Sequence, residues 1–476
     1  MSFSTIVWFR QDLRLEDNSA LAAAIERGIV QPVFIWDQAS MQPWAVGGAS
    51  QWWLHHALRD LAASIEGLGG QLSFQIGEPL SELRKLTQLT GASAVFWNRR
   101  YEPASIDQDS DVKAALREDG LEVCSFNSRL LFEPWEVQNG SGDPYRVFTP
   151  FSKNILKNPL PAPESVRLND AKWFQAKSAG VALDDLKLLP KIQWDSGMSE
   201  MWDPTREGAM KQLERFLAGA VETYHDDRDI PSVTGTSALS PYLNWGQIGP
   251  REIAAHLEGK RERTGGRIYF SEILWREFAY HILFHFPHTT DQPLQEKYAQ
   301  FPWQNSPDDL EAWKRGRTGY PIVDAGMRQL WATGWMHNRV RMVVASLLVK
   351  HLLLPWQEGA KWFWDTLIDA DLASNSLGWQ WAGGCGADAA PYFRIFNPII
   401  QGKKFDTDGD YVRRWVPELA RVPAKFIHCP WEASEIQLRA WGVTLGDNYP
   451  YPIIEHSAGR DRALNALQEL KKVTNG

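Results

Sequence analysis

The sequence predicts two halves built differently: an N-terminal α/β domain with a doubly wound parallel sheet, and an all-α C-terminal domain. Three observations carry this expectation. At 476 residues the chain exceeds what one ordinary core organises. Across residues 5–130, short apolar runs alternate with amphipathic stretches, the pattern of parallel strands joined by helical crossovers. Beyond residue 203 the strand signal stops and helical spacing takes over.

The expected strands are Thr5–Phe9, Val33–Trp36, Leu72–Gln75, Ala94–Trp97 and Val123–Phe126, because continuous apolar runs suit a sheet covered on both faces. Helices are expected at Ser19–Arg27, Gln51–Leu68, Leu80–Leu89 and Ile106–Asp119. The turn after the opening strand, RQDLRLEDN, has no GxGxxG, so a nicotinamide enzyme is disfavoured. Its Arg10, Asp12, Arg14, Asp17 and Asn18 are expected to tie the turn to neighbouring elements rather than do chemistry. The domains read as 1–130, then a surface connection over 131–202, then a helical domain over 203–476. In the connection periodicity fades among Pro134, Pro144, Pro159, Pro161 and Pro163. Asp203-Pro204 is a helix-start signal.

Apolar residues at 44% and charged residues at 23% are globular values. The formal net charge of -8 opposes nucleic-acid binding over the whole surface but leaves room for a local basic groove. Cys124, Cys385 and Cys429 are odd in number, far apart and lack CxxC spacing, so neither a disulfide framework nor a metal site is expected. No apolar run reaches membrane-spanning length, and a cytoplasmic protein is the expectation. The 24 tryptophans either fill helix cores or serve stacking and electron transfer, and composition does not choose between these.

The chemistry concentrates between Asp369 and Asn397. Carboxylates at Asp369 and Asp371, an amide at Asn375 and indoles at Trp379 and Trp381 precede a Gly and Ala run that lets backbone approach a flat ligand. A buried acid needs a partner, and Arg341 in WMHNRVRM could clamp Asp369 with its planar fork. Upstream, SEILWREF places Glu272, Trp275 and Arg276 on one helical face. After Gly334, Trp335, Asn338 and Met342 are expected to share a helical face, with Arg339 and Arg341 pointing elsewhere. In YHDDRDIPSVTGTSALSPYLNWG, the hydroxyls of Thr236, Ser237 and Ser240 stand beside an expected helix N-terminus, which attracts anions, although Ser and Thr are also ordinary caps.

Taken together, WFRQDLRLEDNSAL, TSALSPYLNWG, GRTGYPIVDAGMRQL, WMHNR and the stretch from Asp369 resemble the DNA photolyase and cryptochrome family over nearly the whole chain. The resemblance implies a helical bowl for FAD. Its phosphate and ribose contacts would be Thr236, Ser237, Ala238, Leu239 and Ser240, with Tyr224 nearby; Arg276, Trp335, Asn338, Arg341, Asp369, Ala370, Asp371 and Asn375 would surround the rings. It also implies a monomer acting on UV-damaged DNA, met by Arg228, Glu272, Trp275, Asn338, Arg339, Met342, Trp381, Arg394 and Gln401, with Lys403 and Lys404 on the same basic rim. Trp379, Trp356 and Trp303 match an indole relay carrying electrons from the surface, for which core packing is the plain alternative.

The activity so implied is blue-light-driven splitting of cyclobutane pyrimidine dimers, in which reduced FAD passes an electron to a flipped-out dimer. Glu272 would stabilise the dimer radical anion, and Asn375 would face ring N5 as a neutral acceptor. A six-four photolyase generally has a second histidine where Asn338 follows His337. Plant cryptochromes usually carry Asp where Asn375 stands, and a signalling member is expected to lose Trp275 and to extend well beyond ALNALQELKKVTNG. An antenna, 5,10-methenyltetrahydrofolate or a deazaflavin, is a further implication. Trp36, Trp44, Trp52 and Trp53 either wall its pocket or fill the core, and Ala104 and Ser105 stand where folate-binding bacterial relatives usually carry Asn-Glu.

Overall fold

The computed structural model describes residues 3–39, 41–175, 180–392 and 394–475. Strands β1 (Phe3–Phe9), β2 (Gly28–Trp36), β3 (Ser73–Ile76), β4 (Ala94–Asn98) and β5 (Glu122–Phe126) pair in parallel in the order β3-β2-β1-β4-β5. Helices α1 (Ser19–Arg27), α2 (Gly48–Gly67), α3 (Pro79–Thr90) and α4 (Pro103–Glu118) join them. Side chains alternate across the sheet. Val7 and Phe9 enter one core with Leu21, Trp53 and Leu58, while Ile6 and Trp8 enter another with Leu83, Leu86, Val112 and Leu116. This is the doubly wound arrangement expected, with every expected strand and crossover helix in place.

The charged opening turn is structural. Arg10 donates to Asp109 at 2.5 Å, Arg14 pairs with Asp17 at 2.9 Å, and Asn18 caps α1 by accepting from the Leu21 N–H at 3.0 Å. Arg14 also donates to the Gly246 carbonyl at 2.9 Å, stitching the two halves together.

The connection is more ordered than a surface drape. Helix α5 (Phe148–Ile155) buries Phe148, Phe151 and Ile155, and a short strand β6 (Lys172–Trp173) adds to β2 beside Ile29 and Val30. The apolar spacing of three and four is present in the sequence, but two helical turns among prolines and turn residues give a weak periodic signal.

The helical half forms the site from α6 (Ser240–Asn244), α7 (Thr264–His285), α8 (Asn338–Ser346), α9 (Trp356–Thr366) and α10 (Leu372–Gly383). Helix α7 packs against both α10 and α5. Helices α9 and α10 approach so closely that a Cβ on Gly359 would lie 2.1 Å from the Trp379 ring. Among the described residues, no helix is long and apolar enough to cross a membrane, and no cluster of three or more His, Cys, Asp or Glu side chains is arranged to hold a metal ion.

Candidate functional site: a cavity among four helices

A cavity of about 540 Å³ opens among α7, α8, α9 and α10. Helix α7 lines it with Glu272, Trp275, Arg276 and Ala279; α8 adds Asn338, Arg341, Met342 and Ala345; α10 adds Ser374, Asn375, Leu377, Gly378, Trp379, Trp381 and Ala382. Arg228, Ser240, Phe363, Leu367, Asp369, Ala370 and Asp371 complete the wall. Glu272, Trp275 and Arg276 do share a helical face, and Ala279 extends it by one turn, a continuation the same spacing could have found.

The segment after Gly334 departs from the expected shared helical face. Trp335 precedes α8, which begins at Asn338, and Arg341 faces the cavity beside Asn338 and Met342 rather than away from it. His337 ends the turn and sets the phase of the helix, its Nδ1 accepting the Arg339 N–H at 3.2 Å. Burial pushes this imidazole down to about 4, so the cap is neutral at ordinary pH.

Asp369 is the hub of the deep wall. The Arg341 Nη2 donates to both of its oxygens, at 2.8 and 3.1 Å, and Ser240 Oγ donates at 2.6 Å. The expected Arg341 clamp therefore forms, but through one guanidinium nitrogen, because Nε is occupied by the Met336 carbonyl at 2.8 Å. Trp335 Nε1 reaches Ser240 Oγ at 3.4 Å.

Asp371 caps α10 by accepting the Ser374 N–H at 2.8 Å, and its other oxygen accepts from the Tyr280 hydroxyl and from Arg129. Burial raises its proton affinity, but Arg129, Arg276 and the Tyr280 hydroxyl outweigh that and hold the carboxyl below its usual range. A buried carboxylate must be satisfied, and at Asp371 protein donors already do so. Arg129 and Tyr280 were missed by sequence reasoning. Neither stands within a chemistry-bearing motif.

Asn375 donates through Nδ2 to the Ala360 carbonyl at 3.1 Å, which leaves its Oδ1 as the acceptor for a ligand. At the open side Arg228 Nη1 meets Glu272 Oε1 at 2.7 Å, and burial raises the Glu272 proton affinity against that cation. Trp275 lies flat on Phe148, with ring centroids 3.8 Å apart and planes 8° apart.

The remaining predicted residues lie outside the cavity lining. Tyr224 is buried beneath the Arg228 guanidinium, 5.3 Å from its ring. Thr236, Ser237 and Ala238 form the turn into α6, where Ala238 adopts a left-handed φ of 52°. The Leu239 side chain turns into the core, leaving only its backbone for a ligand. Arg339 is paired with Asp229 at 2.7 Å. Arg394 is exposed near Phe396, and Gln401 sits on a further helix, α11 (Pro398–Phe405).

The three relay indoles share one hydrophobic cluster, with Trp379 and Trp356 buried and Trp303 partly open. The rings against Trp379 are Phe363 at 5.0 Å and Trp313 at 6.1 Å. In the N-terminal half Trp52 and Trp53 are core residues, their indole N–H groups donating to Asp195 and Gln247. Trp36 lines a small cavity of about 50 Å³ with Arg10, Met41 and Arg100, and Trp44 packs on Trp364.

Residues 5–165 match the family model described as DNA photolyase, and residues 269–469 match the FAD binding domain of DNA photolyase. The chain belongs to the DNA photolyase family. A deoxyribodipyrimidine photo-lyase of Agrobacterium fabrum is 48% identical, the match covering 98% of each chain. Cryptochrome-2 of Arabidopsis thaliana is 39% identical over 99% of this chain and 80% of its own length. Among solved structures, a bacterial class III photolyase from Agrobacterium tumefaciens superposes with a TM-score of 0.96 at 47% identity, covering 99% of this chain and 98% of that one. The chain is an enzyme of the deoxyribodipyrimidine photo-lyase kind, and its cofactor is FAD. The cavity fits such a group: Arg276 Nη2 at its wall is buried without a protein partner, a donor fit for an anionic or carbonyl oxygen.

Proposed function

We propose that the chain repairs cyclobutane pyrimidine dimers in UV-damaged DNA by light-driven electron transfer, as a cytoplasmic monomer. The carrying observation is that two unlike sets of residues share one cavity. Asp369, Asp371 and Trp379 line its buried side, while Glu272, Trp275, Asn338 and Met342 line its open side. The buried side suits a flavin, and the open side suits an extruded pair of bases.

Bound FAD would supply the redox chemistry, lending the dimer one electron under blue or near-ultraviolet light and regaining it after ring opening. The protein's part is binding, orientation and electrostatics. Asn375 and Arg276 orient the isoalloxazine, and Asp369 holds Arg341 and Ser240 around it. Trp275 offers a rigid face on which a flipped pyrimidine stacks, repaying part of the unstacking cost. Glu272, held by Arg228, hydrogen-bonds the dimer. Arg339, Arg394, Gln401, Lys403 and Lys404 position the DNA backbone, and Trp356 and Trp303 link Trp379 to the surface.

We assign 1–130 to an antenna-type domain, 131–202 to the connection and 203–476 to the catalytic domain. The signalling alternative is favoured by the 39% identity to a cryptochrome. Asn375 and Trp275 weigh on the side of repair. Six-four chemistry is disfavoured because Asn338 follows His337, itself a buried neutral cap.

The test uses the purified FAD-loaded protein on oligonucleotides carrying either a cyclobutane dimer or a six-four product, in light and in darkness. Restoration of the cyclobutane substrate under illumination alone is expected. Repair in darkness, or of the six-four product only, overturns the reading.

A further inference from the structure

Arg129, in the segment after β5, is a buried charged group that reaches the cavity wall from outside the helical half. It lies within the stretch matching the N-terminal family model and outside the FAD-binding stretch. Its Nε and Nη2 donate to the Tyr280 hydroxyl at 2.8 and 2.5 Å, and Tyr280 in turn donates to Asp371. Nη2 also stands 3.4 Å from Asp371 Oδ2. Nη1 donates to the Asn244 carbonyl at 2.9 Å and to the Gln11 carbonyl at 3.2 Å. Finally, Arg276 donates to the Arg129 carbonyl at 2.9 Å.

We propose that Arg129 is a positioning residue of the FAD site, holding Asp371, and through it the start of α10, in place from the other domain. The assignment rests on the FAD reading of the cavity. The geometry supplies a continuous path: guanidinium to phenol, phenol to carboxylate, and carboxylate to the Ser374 N–H one residue before Asn375. A planar fork with several fixed donors suits a site where four segments meet, and a lysine cannot reproduce it. Without Arg129, Asp371 keeps its cap but loses its nearest cation while remaining 7% exposed, and such a carboxylate reorients or takes up a proton. Arg129 and Asp371 therefore act as a unit, and removal of either disturbs the same wall of the cavity.

The test is a double-mutant cycle on FAD affinity in darkness, read by flavin fluorescence on reconstitution of the full chain. Arg129→Met is expected to weaken FAD binding about tenfold or more, as loss of a hydrogen bond to a buried charge does. Arg129→Lys should recover only part of it. In an Asp371→Asn background, Arg129→Met should cost little further. Tyr280→Phe, which keeps the ring and removes the bridging hydroxyl, should weaken FAD binding in the same direction and serves if Arg129→Met does not fold. Wild-type protein that binds no FAD overturns the FAD reading and this assignment together. With FAD bound by the wild type, an Arg129→Met loss that is equally large with and without the Asp371→Asn change overturns only the Arg129 assignment, as does Tyr280→Phe with wild-type affinity.

Discussion

Arg228 Nη1 lies 2.7 Å from Glu272 Oε1, so the carboxylate fronting the cavity is held by a cation before any DNA arrives. The two side chains retain 23% and 31% of their surface, so desolvation offsets much of their attraction and the pair contributes on the order of 1 kcal/mol to folding. The pair is therefore better placed to serve a ligand than the fold. Glu272→Gln should leave the melting temperature within about 2 °C, consistent with so small a term, while repair per absorbed photon falls severalfold. Unchanged repair in the variant removes Glu272 from the reaction.

Trp275 is expected to act through its face. Trp275→Ala should weaken binding to dimer-containing DNA by about 1–3 kcal/mol, the usual worth of a base on an aromatic ring, and leave FAD bound. Binding to undamaged DNA should change little. Because the ring also stacks on Phe148 at 3.8 Å, some loss of stability accompanies the change. Equal weakening toward damaged and undamaged DNA would mean that only this packing was lost.

Asn375→Asp tests the acceptor role. The native amide donates to the Ala360 carbonyl at 3.1 Å, a bond an ionised aspartate cannot make. FAD should remain bound, and the visible spectrum reached on photoreduction should differ from that of the wild type. Superimposable spectra would show that the flavin does not sense this side chain.

Glu277 gives a prediction about pH. Its Oε2 accepts the Leu131 N–H at 2.9 Å, Oε1 accepts no hydrogen bond and faces Arg276 Nη1 at 3.8 Å, and burial outweighs both to push the carboxyl from 4.5 up to about 7. With the folded value raised above the unfolded one, the stability it contributes is complete below about pH 4.5 and declines as pH rises through about 7. Glu277→Gln keeps the acceptor and removes the charge. Its denaturation curves should lose that part of the pH dependence and, above pH 7, show up to about 3 kcal/mol more stability than the wild type. Parallel profiles for the two proteins would contradict a raised proton affinity at this carboxyl.

Much of the site is legible in short motifs. Helical spacing alone places Glu272, Trp275 and Arg276 on one face, and the Arg341–Asp369 pair follows from the need of a buried acid for a cation. The phase of α8 does not follow from spacing counted from Trp335. An unusual cap, His337, starts the helix at Asn338, so Trp335 lies outside it and Arg341 turns toward the cavity. Helix α5 and strand β6 are too short for periodicity to announce them.

What the sequence by itself determined was the alternation of strands and crossovers, the switch to helices near residue 203, and the residue types of the cavity. These are local properties, set within one strand or a few turns of chain. Tertiary structure alone decided that Arg129 would meet Asp371, 242 residues away, and that Phe148 of the connection would back Trp275. Such pairings depend on how whole elements pack, and no spacing along the chain encodes them.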